Sequence, residues 1–434
     1  VVGSVAVTAA ETHAAIDAVI RIESARLIAG LAHYTGDVGL AEELAQDAVV
    51  AALEQWPETG VPRNPGAWLM TVAKRRAIDL YRRNARLRER YAAIGRDLAV
   101  DGEAVEPDFD RAVSDDIDDD LLRLVFTACH PVLPVPARVA LTLRLVGGLT
   151  TAEIARAYLV PEATVAQRIV RAKKTLAAAQ VPFEVPDAAE RPARLSSVLE
   201  VIYLIFNEGY SATAGEDWMR PALCHDALRL GRILAQISSE EPEVHGLVAL
   251  MEIQASRLSS RVDTEGTPIL LLDQNRVLWD RQLINRGLAA LARAVELGGA
   301  DGPYALQAAI AACHASAFRA EDTDWPRIAS LYAVLSRVAP SPIVQLNRAV
   351  AVSMADGAQA GLDLVDELAL EPTLRSYHLL PSVRADLLVK VGRPEEARAE
   401  FERAADLTNN ERERELSLQR ARAAERELGS PDDE

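Results

Sequence analysis

The chain has 434 residues, of which 49% are hydrophobic, 26% charged and 5% aromatic, and its net charge is −17. That length and apolar content exclude a disordered chain and predict two or three domains, and the abundance of Ala, Leu, Arg and Glu over β-branched and aromatic residues leans towards an all-α fold. Taken whole, the acidic balance argues against nucleic acid, because a phosphate backbone repels a negative surface.

Divided along the chain, the charge reads differently. Residues 1–100 carry 12 basic and 12 acidic side chains, and Lys74 to Arg90 alone is a local +6. The first strong element is Gly39 to Trp56, GLAEELAQDAVVAALEQW, predicted as an amphipathic helix with Leu40, Leu44, Ala48 and Ala51 in one stripe and Val49 and Leu53 beside it. Glu42, Glu43 and Asp47 form an acidic flank. The stretch PETGVPRNPG, with three prolines and two glycines, is predicted to stop regular structure. A second helix, AWLMTVAKRRAIDLYRR, follows, with Leu69, Val72, Ala73 and Leu80 inward and Arg75, Asp79, Arg82 and Arg86 along another face. Trp68 and Tyr81 stand among these cations. An aromatic beside a basic track suits unstacked bases on a single strand, and each of the two is equally readable as a core aromatic.

Asp101 to Asp120 holds ten acidic residues and one arginine with little apolar periodicity, which predicts an acidic linker over 99–120. Leu121 to Gln180 returns to +6. Within it, TTAEIARAYLVPEATVAQRIVRAKKTL reads as two short helices. Thr150 and Glu153 form a capping box at the first, and the second starts after Pro161 with Val165, Ile169, Ala172 and Leu176 as its apolar stripe. Thr164, Gln167, Arg168, Arg171 and Lys174 occupy the opposite face. These are side-chain types that read base edges and phosphates from a helix in the major groove; the plainer reading is a solvated basic surface helix. Leu159 stands where many helix-turn-helix turns carry glycine.

The order of the AEELAQDAVVAALEQWP helix, the NPGAWLMTVAKRRAIDLYRR helix, an acidic linker and LTLRLVGGLTTAEIARAYLVPEATVAQRIVRAKKTL resembles an extracytoplasmic-function RNA polymerase sigma factor of the sigma-70 family. FTACHPVL and AYLVPEATVAQR, followed by a long helical extension, resemble the subgroup with a tetratricopeptide-like C-terminal domain. The motifs cover Ile16 to about Gln180. The resemblance implies sigma region 2 over 1–98, the linker over 99–120, region 4 over 121–180 and a helical extension over 181–434. It implies core RNA polymerase, through the β′ clamp and β flap, and promoter DNA as partners, and a role in promoter-specific initiation rather than catalysis. Glu43 and Asp47 would face the β′ clamp. Arg63, Asn64, Trp68, Lys74, Arg75, Arg76, Arg82 and Arg83 would take the -10 element, and Thr164, Gln167, Arg168, Arg171 and Lys174 the -35 element. The alternative is a one-component helix-turn-helix regulator whose repeats sense a ligand or partner.

From Val181 onward the net charge is −14. Asn347–Gly361 and Val383–Ala397 both read as helix, glycine-containing turn and helix, and further pairs are expected around Pro221–Arg257 and Leu278–Phe318, so an α-solenoid of tetratricopeptide-like hairpins is predicted. Such a stack offers a concave surface for a peptide or domain, including an intramolecular contact with the sigma modules. NEGYSA, LDQNR, Trp218, Trp279 and His378 read as packing and capping groups, since no nucleophile, base and orienter stand at recognisable spacing, and no phosphate-binding glycine motif occurs.

Cys129, Cys224 and Cys313 are far apart, with no CxxC, and each precedes a histidine. Neighbours on a helix diverge by about 100°, which favours buried cysteines beside polar histidines over a metal site. No metal and no cofactor is expected. A reducing cytoplasm is the expected compartment, with neither export nor membrane insertion, because no apolar run reaches the roughly eighteen residues of a membrane span.

Overall fold

The computed structural model describes residues 9–94, 117–158, 160–187, 189–212 and 217–429. Among the described residues are eighteen α-helices and no strand, and the only β pairing is an isolated bridge between Val262 and Pro268. The chain divides into two compact units, Val1–Val201 and Ile202–Glu434.

The first unit opens with α1 (Ala9–Thr35), α2 (Val38–Thr59) and α3 (Pro65–Ile94), which pack on one another. Their shared core takes Leu27, Ile28 and Leu31 from α1, Leu44, Ala48 and Trp56 from α2, and Leu69, Ala73 and Ala77 from α3. Asp37 starts α2 by accepting the amides of Gly39 and Leu40 at 2.7 and 3.1 Å. The helix does not stop at Trp56. Pro57 forfeits one hydrogen bond yet keeps a helical φ, and the end comes at Gly60, whose φ of 79° suits a residue without a Cβ. The inward face of α2 is also broader than the expected stripe: Ala41, Ala45 and Ala52 are buried, while Leu53 is exposed. Small side chains let the neighbouring helices approach closely, so alanines rather than the flanking leucine make the contact.

The second group of helices is α4 (Ile117–Ala128), α5 (Val135–Leu145), α6 (Thr151–Ala157) and α7 (Glu162–Ala178). Most of the expected acidic linker and Leu159 lie outside the described residues, but Ile117 to Asp120 already belong to α4. Asp120 accepts from Arg123 at 2.5 Å and lies 2.9 Å from His33 of α1, so this end of the acidic run is tied into the fold. The boundary between units falls inside α8 (Arg191–Tyr210), later than the Gln180 expected from sequence. The start of α8 belongs to the first unit because Arg194 donates to the Phe126 carbonyl (3.1 Å), Ser197 donates to the Cys129 carbonyl (2.8 Å), and Arg138 reaches Ser197 and Glu200.

The second unit is a succession of helical hairpins: α9 (Pro221–Ile237), α10 (Pro242–Ala255), α11 (Arg281–Glu296), α12 (Pro303–Ser316), α13 (Trp325–Val338), α14 (Pro342–Ala355), α15 (Ala358–Leu368), α16 (Leu379–Lys390), α17 (Pro394–Leu407) and α18 (Glu411–Gly429). Most pack mainly on their neighbours in sequence, while α12 packs mainly on α10. A proline opens many of them, using the position where a missing N–H costs nothing. The expected pairs are present as α9/α10, α11/α12, α14/α15 and α16/α17. In α15, Gly361 sits so close to α14 that an added Cβ would stand 2.4 Å from Ser353 Cβ and 2.8 Å from the Ala349 carbonyl oxygen. Gly361→Leu is therefore expected to cost about 1–3 kcal/mol through overpacking. Thermal unfolding checks this, and an unchanged Tm would mean that the two helices part freely.

The three cysteines are buried and free. Burial pushes the Cys129 thiol up to about 11 and the Cys224 thiol up to about 12, so both are packed, protonated groups at neutral pH.

Candidate nucleic-acid and polymerase interface

In the second helical group, Thr150 and Glu153 form the reciprocal capping box at the start of α6. The Thr150 amide donates to the Glu153 carboxylate at 2.7 Å, and the Glu153 amide donates to the Thr150 hydroxyl at 3.1 Å. Helix α7 begins after Pro161 and buries Val165, Ile169, Ala172 and Leu176 against the helices before it. That anchoring fixes which side of α7 faces water. Gln167, Arg171 and Lys174 are exposed, and Thr164 and Arg168 are part-buried at its edge. Arg171 and Lys174 line an open groove with Thr175, Ala178 and Ala179. The sequence-predicted residues of this face are thus brought together on one helix.

The residues around α3 divide into two sets. Arg63, Arg75, Arg82 and Arg83 are exposed, and none is paired with a carboxylate among the described residues. Others carry structural duties. Asn64 caps α3, accepting the Ala67 amide at 3.1 Å. Trp68 packs edge-on against the buried Trp56, with ring centroids 5.3 Å apart, and remains part-exposed. Lys74 lies over the Tyr34 ring at 5.1 Å, and Arg76 pairs with Asp47 at 3.2 Å. One residue expected to face DNA therefore neutralises one expected to face polymerase. The side chain of Arg86 lies outside the described residues.

Glu42 departs most from the sequence reading. Instead of joining Glu43 and Asp47 on an open acidic flank, its side chain is 4% exposed and turned towards the second helical group. There it accepts from Arg144 Nε of α5 at 2.7 Å and pairs with Lys173 of α7. Burial acts to raise its pKa, but Lys173 and Arg144 outweigh that and hold the carboxyl below its ordinary value. Arg144 also donates to the Leu149 carbonyl, just before α6. One carboxylate of α2 thus ties the helix-turn-helix to the first three helices, with Glu43 and Asp47 left exposed on the far side.

Comparison with known proteins places these two groups of helices. Residues 20–87 match the family "Sigma-70 region 2", residues 123–176 match "Sigma-70, region 4", and residues 194–295 match a "Family of unknown function (DUF6596)". The chain belongs to the extracytoplasmic-function sigma factors. It is one with a C-terminal extension, and its two sigma regions are those of a factor for promoter-specific transcription. A relative from Rhizobium meliloti (strain 1021), "Uncharacterized protein R00370", is 44% identical over 388 residues, covering 88% of this chain and 89% of that one. Yeast Tom70 aligns with 98% of this sigma factor and 89% of its own chain at 10% identity and a TM-score of 0.32; the hairpin description of the extension rests on its own helices.

In this sigma factor, sequence reasoning missed Arg144 and Lys173. Lys173 follows Ile169 by four positions and borders the apolar stripe, a local sign that it leans inward. Nothing near Arg144 points to Glu42. No helix among the described residues is long and apolar enough to cross a membrane.

Proposed function

We propose that this sigma factor binds core RNA polymerase through the exposed flank of α2 and directs it to promoters whose -10 and -35 elements are taken by α3 and α7. Glu43 and Asp47 meet the β′ clamp, and region 4 approaches the β flap. Arg63, Arg75, Arg82 and Arg83 hold the phosphates of the -10 region, with Lys74 and Arg76 beside them. Trp68 and Asn64 serve both the fold and the opened strand, Trp68 through its exposed edge. Thr164, Gln167, Arg168, Arg171 and Lys174 read the -35 element. The extension regulates the factor.

The observation that carries this reading is the outward face of α7, where a buried apolar stripe forces Gln167, Arg171 and Lys174 into solvent together. Bidentate arginine contacts to guanine discriminate by about 1–3 kcal/mol. Arg171→Ala is accordingly expected to weaken -35 duplex binding by that amount and to relax specificity at one position. The measurement is run-off transcription with purified core polymerase and mutated promoters. Operator binding without any initiation would replace this reading with that of a one-component regulator.

A further inference from the structure

In the second unit, three arginines meet around the rings of Tyr210, Trp218 and Trp279, and the carboxylates of Asp322 and Glu321 act on one of them, Arg276. The guanidinium carbon of Arg257 lies 5.7 Å from the ring centroids of both Tyr210 and Trp279. Arg276 stands 5.0 Å from Trp279, and Arg261 stands 3.5 Å from Tyr210. Arg261 and Arg276 are locked in place by neutral acceptors. Arg261 donates to the Tyr210 carbonyl at 3.0 Å, and Arg276 donates to the carbonyls of His314 (2.9 Å) and Ala317 (3.0 Å) and to the Thr323 hydroxyl (3.1 Å).

Arg257 has no such lock. No ion pair or side-chain hydrogen bond holds its guanidinium among the described residues, and it is part-exposed. Around it are buried polar atoms without partners: the ring N–H of Trp279 (2% exposed), Nε of Arg276 (4% exposed) and Nδ1 of His314 (8% exposed). Burial, then Arg257 and Arg276, push His314 down to about 3, so it stays neutral and adds no charge. Burial raises the hydroxyl of Tyr332, which is part-exposed, to about 12.

Like charges brought together with little water between them repel, and buried N–H groups without partners are costly. An anion placed at Arg257 relieves both. We propose that Arg257, between Tyr210 and Trp279, anchors a binding site in the extension for the oxyanion of a small molecule, a carboxylate or a phosphate. The segments NEGYSA and LDQNRVLWD supply Tyr210, Arg276 and Trp279, which gives these polar runs a use beyond capping. The site stands apart from the promoter reading and does not depend on it.

The test is thermal unfolding and calorimetric titration of the full chain with inorganic phosphate and with citrate, at matched ionic strength against sodium chloride. At least one probe is expected to raise Tm by a few degrees in a saturable way, with the response lost in Arg257→Gln and partly kept in Arg257→Lys. Phosphate alone acting assigns a phosphate ligand; citrate alone acting assigns a carboxylate. No saturable response to either, or an equal response in wild type and Arg257→Gln with unchanged circular dichroism, would overturn the proposal.

Discussion

Glu42→Ala lowers the stability of the sigma unit by about 2–3 kcal/mol. Removing one partner of a buried ion pair costs about 3–5 kcal/mol because the remaining charge is stranded, and the lower range applies here because Arg144 and Lys173 each keep 23% side-chain exposure and reach water. Glu42→Gln keeps the shape and costs less. The pH dependence has a definite sign. The folded carboxyl titrates below the unfolded one, so its contribution is fully present above the ordinary value of 4.5 and is lost as pH falls through the lowered folded value. Urea unfolding of wild type and Glu42→Gln across that range should show the two converging in acid. A constant gap between them would mean that charge is not what Glu42 contributes.

Asp47→Arg should abolish polymerase binding with little change in stability. Asp47 is 58% exposed on its side chain and its pair with Arg76 is a surface one, worth about 0–1 kcal/mol, so the fold loses little. At an interface with a basic partner, the same reversal turns attraction into like-charge repulsion. About 3 kcal/mol of that kind is more than a hundredfold in affinity. Co-purification with core polymerase, together with the Tm of the free variant, separates the two effects. Retained binding with an unchanged Tm would remove Asp47 from the polymerase contact.

Much of the helix-turn-helix was legible in the sequence. The capping box Thr150/Glu153, the stripe Val165, Ile169, Ala172, Leu176 and the polar face beside it are set by spacing along one helix, and spacing is local. Charge was legible only after division: the total of −17 conceals basic runs at α3 and α7. What the pattern did not contain is which side chains are also used by the fold. Asn64 and Trp68 are expected to take the -10 element, and in the fold one caps a helix and the other packs on Trp56.

The sequence by itself determined the all-α class, the hairpins of the extension and the faces of α3 and α7, because helical periodicity repeats every few residues, and it determined the two sigma modules through their resemblance to the family. Only the tertiary structure decided that Glu42 is buried against Arg144, 102 positions away, that the first unit runs into α8, and that Tyr210, Arg257, Arg276 and Trp279 converge. Ion pairing and desolvation depend on which groups are close in space, and periodicity along one helix says nothing about which other helix will lie against it.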